Sequence, residues 1–243
     1  MSKVAALRAL MRREGLSAYL VPSEDAHCSE YVQKADERRG YLSDFTGSAG
    51  TAVVTLDEAL LWTDARYWDQ ARAQLSEEWT LVEDGPGVKT PGEVLAQKLP
   101  SGAKVGANGL VLTRAKAMQL EKELNGLTLE TSHALVDEIW TDRPSRPSTK
   151  LRVHPIELAG ATVVEKLARV REELAKTAAK ALLLTQLDEI AWLFNLRCTF
   201  VIECNPVFLS YALVTPESAT LFVSAEQLSE QVCEHLSNSL PST

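Results

Sequence analysis

The sequence predicts an α/β protein made of two related domains, each a mixed sheet flanked by helices, with the second domain incomplete. Three observations predict it. Apolar residues switch between helical and strand-like spacing along the whole chain, the order of those segments occurs twice, and a proline-rich polar stretch separates the two occurrences.

In the first copy, Val4, Leu7, Leu10 and Met11 recur at helical spacing, and Gly15 supplies a C-terminal stop. Lys3, Arg8, Arg12 and Arg13 precede the first acid, Glu14, as in a mitochondrial presequence, but the apolar periodicity favours an ordinary opening helix. Ser17 to Pro22 reads as a short buried strand closed by its proline. Thr51 to Leu56 and Ala59 to Thr63 are β-branched and apolar runs joined at Asp57-Glu58, which predicts a hairpin. A helix from Tyr67 to Leu75 follows. Strands at Trp79 to Val82 and Lys104 to Ala107, with helices at Glu93 to Leu99 and Arg114 to Leu124, complete the copy.

The second copy repeats this order. Val163, Val164, Leu167, Val170 and Leu174 mark one face of a helix from Thr162 to Ala175, and the strand Lys180 to Thr185 follows. Ala212 to Ser224 can be laid on Ala52 to Asp64 with turn residues in register and threonines expected to point outward. Tyr41-Leu-Ser-Asp-Phe45 has a counterpart in Trp192-Leu-Phe-Asn-Leu196. Ile190, Ala191 and Phe194, with Trp192 and Leu193 beside them, are expected in the core, and Asp188 and Glu189 in the first turn complement the helix dipole. The domains are placed at residues 1–142 and 149–243 around a linker at 143–148, where Pro144 and Pro147 remove backbone donors. Copy two stops soon after its hairpin, so further sequence is expected beyond Thr243.

A net charge of −8 offers no footprint for a phosphate backbone, which excludes nucleic acid as a partner. No apolar run approaches the roughly 20 residues needed to span a bilayer. Cys28, Cys198, Cys204 and Cys233 lack the spacing of a zinc site and read as reduced thiols of a cytosolic protein. His27, His133, His154 and His235 are scattered and form no metal-ligand pattern, and no Ser/His/Asp set is recognisable.

Gly47-Ser-Ala-Gly50 lacks the glycine two residues before Ser48 that a nucleophile elbow needs, and a hairpin rather than a helix follows, so it reads as a tight turn entering a strand. In Trp62-Thr-Asp-Ala-Arg-Tyr67, Asp64 suits the cap of the following helix, while Arg66 suits either a surface ion pair or recognition of a carboxylate or carbonyl.

Six collinear blocks carry a resemblance: Pro22 to Tyr31, Phe45 to Ala52, Trp62 to Tyr67, Ile139 to Pro144, Leu187 to Arg197 and Asn205 to Phe208. Together they resemble the N-terminal region of the three-domain, eukaryotic-type Xaa-Pro aminopeptidases, also called aminopeptidase P. The resemblance implies two creatinase N-terminal-like, ribonuclease-H-like domains. It also implies a pita-bread catalytic domain, absent from this chain, in which two aspartates, a histidine and two glutamates hold two divalent ions, usually Mn2+. None of those ligands has a matching position here, so the chain alone is expected to be inactive and metal-free. The implied full-length protein is a cytoplasmic, homodimeric metallopeptidase that removes the residue preceding proline from proline-containing peptides. The family's arginine that contacts substrate matches Arg66; His27 and Tyr67 lie in matching blocks but receive no role. Two other readings stand beside this one: a free-standing, non-catalytic binding or regulatory module of the same fold, and creatinase or prolidase activity.

Overall fold

The computed structural model describes residues 1–199, 201–202 and 205–240, so Cys204 lies outside the described residues. The chain forms two compact units, one of Met1–Glu30 and Ala35–Pro144 and one of Tyr31–Lys34 and Ser145–Thr243.

In the first unit, α1 (Lys3–Glu14) starts where the Ser2 hydroxyl accepts the Ala5 N–H and stops at Gly15, whose φ of 68° is the left-handed conformation that glycine adopts without a Cβ penalty. It leads into β1 (Ala18–Val21), then α2 (Arg38–Ser43), β2 (Thr51–Thr55), β3 (Ala59–Thr63) and α3 (Trp68–Gln74). The unit continues through β4 (Thr80–Glu83), α4 (Pro91–Lys98), β5 (Lys104–Ala107), α5 (Arg114–Glu123), β6 (Thr128–Glu130) and α6 (Leu135–Ile139). Helix α4 begins before the expected Glu93 because Pro91 occupies its first turn and Thr90 and Glu93 close a reciprocal capping box.

The six strands form one mixed sheet in the order β4-β3-β2-β1-β5-β6. Both faces are apolar, so two separate clusters cover them. Val4, Leu7 and Met11 of α1 pack with Tyr19, Val54 and Leu61 on one face. On the other, Leu20, Val53, Leu60 and Trp62 meet Leu95 of α4 and Leu120 of α5.

The second unit contains β7 (Arg152–Val153), α7 (Ile156–Ala159), α8 (Val163–Ala175), β8 (Leu182–Leu184), α9 (Leu187–Leu193), β9 (Leu196–Arg197), β10 (Ser210–Val214), β11 (Ala219–Val223) and α10 (Glu230–Ser239). Its larger sheet has the order β11-β10-β8. The repeat seen in the sequence extends to the register of the strands. Ala52 pairs with Leu61 and Val53 with Leu60, as Ala212 pairs with Leu221 and Leu213 with Thr220. Tyr19 faces Val54 and Leu20 faces Val53, as Leu182 faces Val214 and Leu183 faces Leu213.

The turn chemistry is also duplicated. The Thr55 hydroxyl accepts the N–H groups of Asp57 at 3.3 Å and Glu58 at 2.8 Å, while that of Thr215 accepts those of Glu217 at 3.3 Å and Ser218 at 2.9 Å. These two threonines therefore do not point outward as expected; their hydroxyls fold back to replace the backbone partners the turn lacks. Above each turn a helix arginine reaches the threonine carbonyl: Arg8 Nε donates to Thr55 O at 2.9 Å, and Arg171 Nε to Thr215 O at 3.1 Å.

Trp192 departs from the expected core. It is 44% exposed, whereas Ile190, Ala191, Leu193 and Phe194 are buried. Its ring lies under the Lys166 ammonium, 4.7 Å from the centroid, and Lys166 is itself buried by donating to Trp192 O at 2.8 Å and Asn195 Oδ1 at 2.6 Å.

Thr55→Val and Thr215→Val keep the β-branched shape but remove the acceptor, and each is expected to lower stability by about 1–2 kcal/mol in urea unfolding, with Thr→Ser largely restoring it.

Candidate functional site

The residues from β3 into α3 and the Gly47–Gly50 turn come together in the first unit. Asp64 and Arg66 leave the end of β3 on the short connection to α3. The Arg66 guanidinium forms a two-pronged ion pair with Asp64, Nε to Oδ1 at 2.8 Å and Nη2 to Oδ2 at 2.9 Å. The Arg66 backbone N–H also donates to Asp64 Oδ1 at 3.1 Å. Asp64 therefore does not cap α3 as expected: Tyr67 occupies that position with no side-chain capping bond, and the carboxylate is engaged by Arg66. The fork fixes the guanidinium plane yet leaves Nη1 without a hydrogen bond among the described residues. The Arg66 side chain is 68% exposed, so this group is accessible to an acceptor from outside.

Charge reinforces the arrangement. The hydrogen bond from Arg66 holds the Asp64 carboxyl below its ordinary value, and Asp64 in turn raises Arg66. Because both groups are exposed, solvent screens the pair, and its consequence is orientation more than stability.

Tyr67 supports Arg66 from beneath, with the guanidinium carbon 5.1 Å from the ring centroid. Its hydroxyl shares a 2.6 Å hydrogen bond with the Ser48 hydroxyl, and its ring meets Phe45 edge to face at 6.2 Å. Gly47 permits this packing, since a Cβ there would lie 2.3 Å from the Phe45 ring and 2.9 Å from that of Tyr67. Gly50 is equally confined, with a Cβ falling 2.7 Å from Trp62 O.

The turn is held through its carbonyls rather than opened toward a ligand. Arg39 donates to Gly47 O, Thr63 Oγ1 to Ala49 O at 2.7 Å, and Ser23 Oγ to Gly50 O at 2.6 Å. Arg39 is buried against the Phe45 ring at 4.7 Å, with Nε and Nη1 unpaired, and burial pulls its pKa down to about 10, which leaves it charged at neutral pH. Its neighbour Arg38 lies in a separate ion network: Nε meets Asp137 at 2.6 Å and Nη1 meets Asp36 at 3.0 Å, while Arg143 bridges the same two carboxylates. Trp140 stacks on Tyr41 at 4.6 Å beside it. The blocks around Tyr41 and Ile139 to Pro144 thus anchor α2, from which Arg39 extends to the turn.

Sequence reasoning noted the aromatic Tyr67 beside Arg66 but missed Arg39 and Phe45, which support that pair from distant positions; the only local signal for them was Gly47 two residues after Phe45. The histidines have structural surroundings. His27 is buried and its backbone N–H donates to Asp25 Oδ1 at 2.9 Å, His133 lies 3.7 Å from Glu14, and His235 Nε2 is 2.9 Å from Phe194 O. Among the described residues no group of three or more His, Cys, Asp or Glu is placed to hold a metal ion, and no helix is long and apolar enough to cross a membrane. The geometry is that of a recognition point, an oriented cation on a packed aromatic base.

The creatinase/prolidase N-terminal domain matches residues 3–139, and a second form of the same domain matches residues 142–241. The chain belongs to the creatinase/prolidase N-terminal domain family. Relatives of this creatinase/prolidase N-terminal pair include a probable Xaa-Pro aminopeptidase P of Tuber melanosporum, 45% identical over 98% of this chain and 39% of its own length. Another from Talaromyces stipitatus is 45% identical over 96% of this chain and 36% of its own. The X-prolyl aminopeptidase of Caenorhabditis elegans, a cytosolic enzyme with a di-nuclear active site, matches with a TM-score of 0.93 at 36% identity, over 98% of this chain and 41% of that one. The chain therefore spans about two fifths of the length of these relatives.

Two outcomes follow from the geometry. Gly47→Ala is expected to cost about 1–3 kcal/mol and to perturb the Tyr67 signal in near-ultraviolet circular dichroism, because the aromatic pair must separate. Since the Asp64 pKa is depressed, the Arg66 clamp is expected to be complete above the ordinary carboxylate range and to loosen only as pH falls through the lowered value, read as a shift of the Arg66 Nε–H resonance.

Proposed function

We propose that this chain is the N-terminal, substrate-orienting part of a cytoplasmic, two-metal Xaa-Pro aminopeptidase, and that Arg66 is the residue through which it touches the peptide. The observation that carries the assignment to Arg66 is the exposed guanidinium, oriented by Asp64 and Tyr67 and retaining Nη1 for an outside acceptor. Similarity to aminopeptidases over nearly the whole chain supports the reaction class. In this reading residues 1–142 form one domain, 143–148 a linker and 149–243 the start of a second. The catalytic domain follows, holds two divalent ions, manganese as the leading candidate, and provides the contacts of a homodimer.

Proline in the second position explains why a dedicated orienting surface is useful. A peptide bond to proline lacks an N–H and its φ is fixed, so the substrate offers fewer donors and must be held through its carbonyls. A guanidinium with a free N–H pair supplies donors without needing any from the substrate. The metals, when bound, supply the activated water and stabilise the developing oxyanion, and this chain's contribution is to position the carbonyls of the peptide.

In the full-length enzyme Arg66→Ala is expected to lower kcat/KM for an Xaa-Pro peptide by roughly tenfold or more, the value of one charge-assisted hydrogen bond, with the metal content and Tm unchanged. An unaltered kcat/KM in a fully metallated variant would remove Arg66 from the substrate site.

A further inference from the structure

The duplication of the two units extends to a lysine and its partners, and there the charges differ. With Arg8 and Arg171 in register, Lys3 of α1 stands where Lys166 stands in α8, and Tyr41 and Asp44 stand where Trp192 and Asn195 stand. Asp44 and Asn195 both take the left-handed conformation after their helix, with φ of 59° and 49°. Lys3 Nζ lies 4.9 Å from the Tyr41 ring centroid and 2.6 Å from Asp44 Oδ1, as Lys166 Nζ lies 4.7 Å from that of Trp192 and 2.6 Å from Asn195 Oδ1. The shape is kept and the charge is not. Lys3 and Asp44 form an exposed ion pair, whereas Lys166 is 2% exposed and meets an amide, so its ammonium has no counter-charge among the described residues.

More positive charge surrounds Lys166. Arg152 of β7 and Arg197 of β9 are direct cross-strand partners, like charges that cost stability when set side by side. His154 follows two residues after Arg152, and its backbone N–H donates to Asn195 O at 2.7 Å, which carries the ribbon one step further. Desolvation, and after it the charges of Arg197, Arg152 and Lys166, hold His154 below its ordinary value, which marks the four as neighbours. Lys166 and Arg197 have structural duties, since they donate to Trp192 O and Ala191 O at the C-terminal end of α9. Arg152 has none. Its side chain is exposed and makes no hydrogen bond or ion pair among the described residues, and no carboxylate there is paired with Arg197, Lys166 or His154 either.

We propose that Arg152 and Arg197 together bind a carboxylate at the β7–β9 ribbon, with Lys166 adding to the positive potential that draws it. Asn195 in place of an aspartate is what leaves the site receptive, because an aspartate there would neutralise Lys166 from within, as Asp44 does Lys3. Half-buried Arg197 is fixed through Nη1, 2.7 Å from Ala191 O and 2.9 Å from Leu196 O. Its Nε and Nη2 make no hydrogen bond among the described residues, and such a pair of donors matches the two oxygens of a carboxylate. Exposed Arg152 supplies a second guanidinium, and a bound anion relieves the repulsion between the two. The ligand is a carboxylate because that is the group the same frame meets in the first unit. The site lies wholly within the second unit and stands apart from the role given to Arg66.

The test uses the full-length, metal-loaded protein with glutarate, a dicarboxylate, as the probe. Calorimetric titration is expected to show binding that Arg152→Gln weakens roughly tenfold, the value of one charge-assisted hydrogen bond, at an unchanged Tm. Asn195→Asp is expected to weaken binding as well, by supplying the missing charge internally. Asn195→Gly loses the same hydrogen bond to Ala161 O without adding charge, and is expected to keep binding. Glutarate that binds the wild type and Arg152→Gln equally, or binds neither, would overturn the proposal, as would tighter binding of inorganic phosphate than of glutarate. Kinetics separate two sources of the carboxylate. If the peptide's own C-terminus fills the site, Xaa-Pro peptides ending in a free acid have a lower KM than their amides, and Arg152→Gln removes the difference; equal KM values assign the site to a separate acidic molecule. Arg66→Ala is expected to leave glutarate binding unaltered, so failure here is distinguishable from loss of the Arg66 reading.

Discussion

A mixed sheet with two apolar faces must be covered on both, and the covering helices have to be placed by the strands they cover. In this protein the hairpin of β2 and β3 is the point from which that placement is set. The Thr55 hydroxyl closes its turn, the Thr55 carbonyl receives Arg8 from α1, and the strand ends deliver Asp64, Arg66 and Tyr67. One short ribbon therefore docks a helix at one end and presents a cation at the other. The second unit repeats the first half of this device with Thr215 and Arg171, a duplication of side-chain chemistry as well as of backbone order.

The candidate site is built in layers of decreasing exposure. Arg66 is oriented by Asp64 and lies on Tyr67; Tyr67 is fixed by Ser48 and Phe45; Phe45 lies against Arg39, which grips the Gly47 carbonyl. Such stacking suits recognition, because a long, flexible arginine loses less freedom on binding when its plane is already set. The neighbouring hydroxyl of Ser48 is committed to Tyr67, so it serves the stack instead of acting as a nucleophile activated by a base. The glycines serve the packing of this stack, not the cradling of a ligand.

The elements with strong periodicity were legible in the sequence. Helices α1 and α8, both hairpins and the strands that precede them follow from apolar spacing and from Ser, Thr and Gly at their ends. Short elements such as α2, α6, β7 and β9 were not, because a turn or two of helix or two residues of strand has little pattern of its own and is held by distant partners. Helix α2, for instance, depends on Arg38 and Arg143 meeting Asp137, far along the chain. Asp64 and Trp192 were misplaced for a related reason: a capping carboxylate and a core tryptophan are what those residues usually are, and only the positions of Arg66 and Lys166 decide otherwise.

By itself the sequence determined the α/β class, the internal repeat and the family, because periodicity, turn residues and collinear motifs are local and survive in one dimension. Tertiary structure alone decided that Arg66 stands on a packed aromatic base, that buried Arg39 braces the glycine turn, and that Trp192 is exposed beneath the Lys166 ammonium. Those are statements about which distant side chains meet. They depend on the register of strands and the coverage of faces, which residue spacing constrains but cannot specify.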